Sequence, residues 1–140
     1  MEDVRVNFET AKLAKEKGFN ISCDWKIAPC VKEFLFYQRY PNNSEYTYNP
    51  DEDSEAIGYE ERYNRLVNQP TQSLLQKWMR EKHGIFVEVT TDLNVGILFT
   101  YRISKLEKYC VYHHDLKTTF YDSYEQALEE GLQEALKLIK

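Results

Sequence analysis

The C-terminal stretch decides the fold, and it reads Ser123-Tyr-Glu-Gln-Ala-Leu-Glu-Glu-Gly-Leu-Gln-Glu-Ala-Leu-Lys-Leu-Ile-Lys140. Ser123 can cap the first turn of a helix, and Gln126 follows three residues later, as in a capping box. Acidic residues gather at the start and lysines at the end, which suits the helix dipole. The apolar positions that recur at helical spacing are Ala127, Leu128, Gly131, Leu132, Ala135, Leu136 and Ile139. The stretch therefore predicts an amphipathic helix with one face to bury.

The preceding residues predict a sheet on which this helix can pack. Thr71 can cap a helix that ends before Gly84. The apolar face of that helix comprises Leu74, Leu75, Trp78 and Met79. Alternating apolar residues then predict strands at 85–91, 97–103 and 109–114, with a short fourth strand at 118–121. This order predicts an α+β fold, with an antiparallel three- to four-stranded sheet and helices packed mainly on one face.

The first half of the chain is less regular. Asn7 can cap a short helix that Gly18 would end. A packed loop or short strand is predicted at 19–31, a strand at 33–40 and a short helix at 57–67. Between Pro41 and Glu61 the chain has seven acidic residues and no Lys or Arg. We therefore expect a single domain over residues 1–140, with an irregular acidic excursion at about 41–61.

Length and composition restrict the class of protein. No apolar run approaches the roughly 20 residues that a membrane helix needs, and the N-terminus lacks the basic and apolar regions of a signal peptide. The three cysteines are an odd number, which fits reduced thiols better than a secreted disulfide framework. The net charge of −5 disfavours general nucleic-acid binding, which usually needs a basic surface. These features predict a cytoplasmic protein.

Tyrosine is the most unusual residue type, with eleven copies in the chain. Tyrosine suits protein interfaces, because its ring buries area and its hydroxyl stays polar. Packing of the same rings against the sheet explains them equally well. The interaction surface predicted from these rings and the nearby acids comprises Tyr37, Tyr40, Tyr46, Tyr48, Asp51, Asp53, Tyr59 and Tyr63. Its acidic charge would favour a protein partner with a basic surface, and a homo-oligomer is also open.

Residues able to bind a metal or act as a nucleophile occur without a recognised motif. His113 and His114 are adjacent, so on a strand their side chains would point to opposite faces. The cysteine spacings match no paired-ligand zinc motif. Cys110 could act as a nucleophile with His83 or His113, although its alternating pattern favours a core position. We therefore predict no metal site, no catalytic residues and no cofactor.

The acidic segment also contains a pattern like part of a calcium-binding loop. Asp51, Asp53 and Glu55 alternate along it, and Gly58 follows. An EF-hand loop needs its glycine directly after the third acidic position, so this glycine is misplaced. Solvated acids on a loop are the preferred interpretation.

Three segments resemble one group of proteins. They run from Thr10 to Phe19, from Pro70 to Val89 and from Tyr121 to Ile139. Together they resemble small uncharacterised proteins of Bacteroides-type bacteria and of their phages and mobile elements. The resemblance implies a bacterial or phage cytoplasmic setting, and it carries no activity.

Three functional hypotheses follow. The first is a non-enzymatic phage- or mobile-element-associated protein that binds another macromolecule. The second is a protein that binds a small ligand or nucleotide derivative in a pocket between sheet and helices. The third is a small hydrolase or metal-dependent enzyme that uses His113 or His114. A pocket with ordered polar groups would favour the second hypothesis, and a His/Cys/acid cluster would favour the third.

Overall fold

The structure is a computed structural model, and it describes residues 3–29, 45–48, 66–92, 98–107, 110–114 and 119–140. The helices and strands that these residues form are α1 (Phe8–Glu16), β1 (Lys26–Pro29), β2 (Glu45–Tyr48), β3 (Val67–Asn68), α2 (Gln72–His83), β4 (Ile85–Asp92), β5 (Leu98–Glu107), β6 (Cys110–His114) and α3 (Tyr124–Lys137). The strands build two antiparallel sheets, ordered β2-β1-β3 and β4-β5-β6. The predicted α+β class with an antiparallel sheet is confirmed.

The chain gathers into two compact units. The smaller unit is Val6–Pro70, and the larger unit is Met1–Arg5 with Thr71–Lys140. Each unit has its own sheet, and the single domain predicted over residues 1–140 stays a prediction.

The larger unit is a sheet with helices packed on one face. α3 starts after Ser123, whose Oγ accepts a hydrogen bond from the amide of Gln126 at 3.1 Å. The helix packs against β4 and β5. Every apolar position predicted for its inner face is buried, Gly131 included. The predicted packing of this helix on an antiparallel sheet is confirmed.

α2 belongs to the same unit and packs against β4 and α3. The Oγ1 of Thr71 accepts a hydrogen bond from the amide of Leu74 at 3.2 Å, and the helix ends at Gly84, whose φ of 63° is left-handed. Its buried apolar residues are Leu75, Trp78 and Met79. Gln72 is also buried, and its Nε2 donates to the carbonyl of Glu125 at 2.9 Å, which joins α2 to α3. The predicted helix and the predicted core position of Trp78 are confirmed.

The two faces of the larger sheet differ in character. Val87 lies opposite Ile103 in the register of β4 and β5, and both are buried. Glu88 lies opposite Arg102, and their exposed side chains form an ion pair at 2.5 Å on the other face. The exposed apolar side chains of that second face are Phe86 and Leu106. The alternation that predicted these strands therefore places one row toward the helices and one row outward.

Of the predicted fourth strand at 118–121, the structure describes residues 119–121, which form a single bridge rather than a ladder. Tyr121 pairs with Phe99, exchanging hydrogen bonds of 2.7 and 2.9 Å. Thr119 and Phe120 are exposed. On the C-terminal side of the bridge the pairing stops there, because Ser123 caps α3 two residues later.

The smaller unit is built around β1, which pairs with β2 on one side and with β3 on the other. α1 packs on β1 and β3. Asn7 caps α1 as predicted, since its Oδ1 accepts a hydrogen bond from the amide of Thr10 at 2.9 Å. The buried apolar residues of this unit include Ala11, Ala14, Phe19, Ile27, Ala28, Tyr48 and Val67.

The sequence did not predict this second sheet. β1 falls in the segment read as a packed loop or short strand, and β2 falls inside the predicted acidic excursion at 41–61. The rest of that excursion, the predicted strand at 33–40 and residues 57–65 of the predicted helix at 57–67 lie outside the described residues. Val67, at the end of that predicted helix, begins β3.

Candidate functional site

The end of α1 forms one wall of a pocket in the smaller unit. Gly18 has a φ of 97°, a left-handed conformation that glycine adopts without strain. The amide of Phe19 donates to the carbonyl of Ala14 at 2.9 Å, and the amide of Gly18 donates to that of Lys15 at 3.1 Å. These two bonds define a Schellman motif, which closes the helix and turns the chain back across its end. Asn20, which follows this turn, and Lys15, in the last turn of α1, both line the pocket.

The pocket has a volume of about 470 Å³. Sites for small ligands typically have volumes of about 300–1,000 Å³ and combine apolar walls with a few polar groups. α1 and its closing turn contribute Ala11, Lys15, Gly18, Phe19 and Asn20, and the sheet side contributes Lys26, Leu66, Val67 and Asn68. The size and the mixed lining both suit a small molecule.

Asn68 organises the polar side of this pocket. Its Oδ1 accepts a hydrogen bond from Lys26 Nζ at 2.8 Å and another from the amide of Cys23 at 3.4 Å. Lys26 and Asn68 also lie opposite each other in the register of β1 and β3. The ammonium group of Lys26 is therefore held in place by a neighbouring strand rather than left to sample solvent.

Cys23 lies next to the pocket and is a free, half-buried cysteine. Burial raises the pKa of its thiol above the ordinary value, the positive charge of Lys26 opposes that rise, and the negative charge of Asp24 adds to it. Its Sγ lies 3.4 Å from the carbonyl of Ile21, to which the thiol donates. A neutral thiol at pH 7 is a poor nucleophile, so the arrangement does not favour cysteine catalysis at this position.

The structure describes little of the interaction surface predicted from the sequence. Tyr48 is buried, with 1% of its surface exposed, so its ring packs in the core of the smaller unit. Tyr46 is placed by its backbone in β2, opposite Ala28. The members that lie outside the described residues are Tyr37, Tyr40, Asp51, Asp53, Tyr59 and Tyr63. Their role stays a prediction.

The histidine pair lies in β6, where Ser104 is opposite His113 and Ile103 is opposite His114. The side chains of both histidines, and that of Cys110, lie outside the described part of the structure. His83 ends α2, and its ring meets Trp78 edge to face with 4.6 Å between centroids. No group of three or more possible metal ligands occurs among the described residues. Because those three side chains are not described, the catalytic and metal-binding arrangements considered from the sequence stay predictions.

Sequence reasoning missed the pocket because its described walls come from three separated segments. Residues 11–20, Lys26 and residues 66–68 meet only after β1 and β3 have paired. The one local signal is the sequence Lys17-Gly-Phe-Asn20, which is typical of a helix end followed by a buried contact. That signal predicts a turn, and nothing in it predicts a cavity.

Comparisons with known proteins add no assignment. No protein-family model matches the chain, and neither the curated proteins nor the solved structures that were compared gave a significant match. No helix in the described residues is long and apolar enough to cross a bilayer. The geometry of the pocket is thus the basis for a functional proposal.

Proposed function

We propose that the protein binds a small molecule in the pocket of its smaller unit. The observation that carries this proposal is the pocket itself, with a volume of about 470 Å³ and a lining in which apolar side chains meet two lysines and two asparagines. The ordered Lys26–Asn68 pair supplies a fixed polar group, and fixed polar groups give a site its orientation and specificity.

A fragment screen by nuclear magnetic resonance tests this function. Amide shifts of isotopically labelled protein would be recorded with a small library that contains neutral, cationic and anionic fragments. We expect some fragments to shift the amides of Ala11, Phe19 and Val67 together, because these residues line the pocket. The proposal is wrong if no fragment shifts this group at concentrations near about 1 mM, where even weak ligands bind.

The other functions considered from the sequence stay as predictions. Binding of a macromolecule rests on a tyrosine and acid surface whose members, Tyr48 and the backbone of Tyr46 apart, lie outside the described residues. A hydrolase or metal-dependent enzyme would need the side chains of His113 and His114, which lie outside them as well. A cytoplasmic setting rests on the sequence features given above, and phage association rests on the resemblance of three segments.

A further inference from the structure

The described lining of the pocket has a charge opposite to that of the whole chain. The protein carries a net charge of −5, yet the lining residues that the structure describes include Lys15 and Lys26 and no acidic residue. Among the described residues, no carboxylate lies within ion-pair distance of either lysine. Two positive charges thus share one concave site without a compensating group from the described chain.

We infer that the ligand carries an anionic head, bound by Lys26 and Lys15, on an apolar body that rests against Ala11, Phe19 and Leu66. This inference rests on the proposed function, and it names the class of ligand. A phosphate monoester and a dicarboxylate both present such a head. Hydrogen bonds between an ammonium group and an anionic oxygen are about twice as strong as neutral ones.

Asn68 acts as the positioning residue for this recognition. A free lysine side chain loses rotamer entropy when a ligand immobilises it. The 2.8 Å bond from Lys26 Nζ to Asn68 Oδ1 already restrains the side chain before a ligand arrives. A lysine ammonium has three donors, so the bond to Asn68 leaves capacity for an anionic oxygen.

Titration with matched probes tests the inference directly. Phenyl phosphate and phenylsuccinate present the two anionic heads on the same ring, phenol presents the ring without a charge, and inorganic phosphate presents the head without the ring. Isothermal titration calorimetry would give a dissociation constant for each probe. We expect one of the two ring-bearing anions to bind at least about tenfold tighter than phenol, because charge-assisted hydrogen bonds favour the anion by that order.

Variants of single lysines identify the groups responsible. Lys26→Met and Lys15→Met remove one charge each and keep a long side chain, and each is expected to weaken binding of the preferred anion about tenfold. Lys12→Met is the matched control, because Lys12 is exposed on α1 and does not line the pocket. Lys26→Arg keeps the charge and should retain most of the affinity, which separates loss of charge from loss of fold.

The thiol of Cys23 offers a second, independent measurement. In a Cys30→Ser, Cys110→Ser background, iodoacetamide would report on Cys23 alone. Burial raises the pKa of this thiol and the positive charge of Lys26 opposes that rise, so an anion bound at Lys26 weakens the opposition and reduces the thiolate fraction. Saturating phenyl phosphate or phenylsuccinate should therefore slow alkylation, and phenol should leave the rate unchanged.

The outcomes separate the two proposals. If phenol binds as tightly as both ring-bearing anions and the lysine variants match Lys12→Met, the pocket binds small molecules but the anionic head is wrong. If neither the fragments nor these probes bind, the proposed function and the inference both fail. The inference is also wrong if the anion binds both lysine variants with the same dissociation constant as the unsubstituted protein.

Discussion

At the scale of single residues, Gly131 shows how closely α3 approaches its sheet. A Cβ atom built on this glycine would lie 2.8 Å from Val87 Cγ1 and 2.9 Å from Tyr101 Cγ. Val87 and Tyr101 are both buried, and the Tyr101 ring carbon lies close to its own backbone, so neither can move aside without disturbing the core. Glycine is required here by packing, although it is a poor helix former.

We therefore predict that Gly131→Ala destabilises the protein. Alanine would gain about 1 kcal/mol of helix propensity. Overpacking a filled core typically costs about 1–3 kcal/mol, which outweighs that gain. The two contacts below 3 Å place the cost at this site near the upper end of the range. Urea denaturation would measure the change. Adding Val87→Ala should recover part of the loss through a favourable coupling energy. A variant as stable as the parent would show that α3 can move away from the sheet cheaply.

Gln76 joins α2 to the backbone of β4 through a side-chain hydrogen bond. The amide of Leu106 donates to the carbonyl of Gly84 at 2.8 Å. In an antiparallel ladder, the backbone amides and carbonyls of alternate residues face the neighbouring strand. Those of the even-numbered residues of β4 therefore face β5, and those of the odd-numbered residues face away from it. The carbonyl of Val87 therefore lies on the outer edge of β4, where Gln76 Nε2 donates to it at 2.6 Å. α2 thus covers an edge carbonyl that could otherwise pair with another chain.

We predict that Gln76→Ala costs about 1 kcal/mol, the usual net value of one such hydrogen bond. The loss should appear in chemical denaturation. The control is Lys77→Ala, because Lys77 is exposed on the same helix and forms only a loose 4.0 Å ion pair with Glu81. Equal stability of the two variants would contradict a structural role for the bond.

At the scale of elements, α3 is the part of the fold that local sequence determines best. Its cap, its dipole and its seven apolar positions all lie within one continuous stretch, and the structure buries every one of those positions. α1 and α2 were predicted for the same reason, since their caps Asn7 and Thr71 are local signals. The strands of the larger sheet were found through alternation over five or more residues.

The smaller sheet could not be predicted in the same way. β3 has two residues, and β1 and β2 have four each, too few for a period to be read. They form strands because they pair with one another across long stretches of chain, as Ile27 does with Val67. The pocket depends on that pairing, so the local sequence does not predict the pocket either. Tertiary context decides such segments more than intrinsic propensity does.

The contribution of α3 can be tested at Leu132, one of its two fully buried leucines. Leu132 is fully buried, and we predict that Leu132→Ala lowers the free energy of unfolding by about 2–5 kcal/mol, through lost burial and the cavity that remains. Lys137→Ala, at an exposed position of the same helix, should change it by no more than about 1 kcal/mol, the upper value for an exposed ion pair such as the one it forms with Glu134. A loss in Leu132→Ala below 1 kcal/mol on the urea curve (roughly the cost of a surface change) would mean that α3 is not a core element.

At the scale of the whole molecule, the smaller unit is inserted into the chain of the larger one. The larger unit uses residues 1–5 and residues 71–140. Arg5 and Thr71 pair as an antiparallel bridge, and the amide of Gln72 donates to the carbonyl of Val4 at 2.7 Å. The two chain ends created by removing residues 6–70 would therefore already be neighbours. A two-residue turn such as Asn-Gly suits a connection between antiparallel partners.

We predict that the shortened chain, with Asn-Gly replacing residues 6–70, folds by itself, because it keeps β4, β5, β6, α2 and α3 together. It also isolates Trp78, since the protein's other tryptophan, Trp25, is removed. Only 5% of the surface of Trp78 is exposed, and its helix α2 packs on β4 and α3. Iodide should therefore quench its fluorescence weakly in the folded chain, and strongly after urea has unfolded it. Circular dichroism would confirm that the sheet and helices have formed. If circular dichroism shows a folded chain and iodide still quenches strongly, Trp78 is not covered by the core of the larger unit. If the shortened chain shows no cooperative thermal unfolding, the larger unit cannot fold alone.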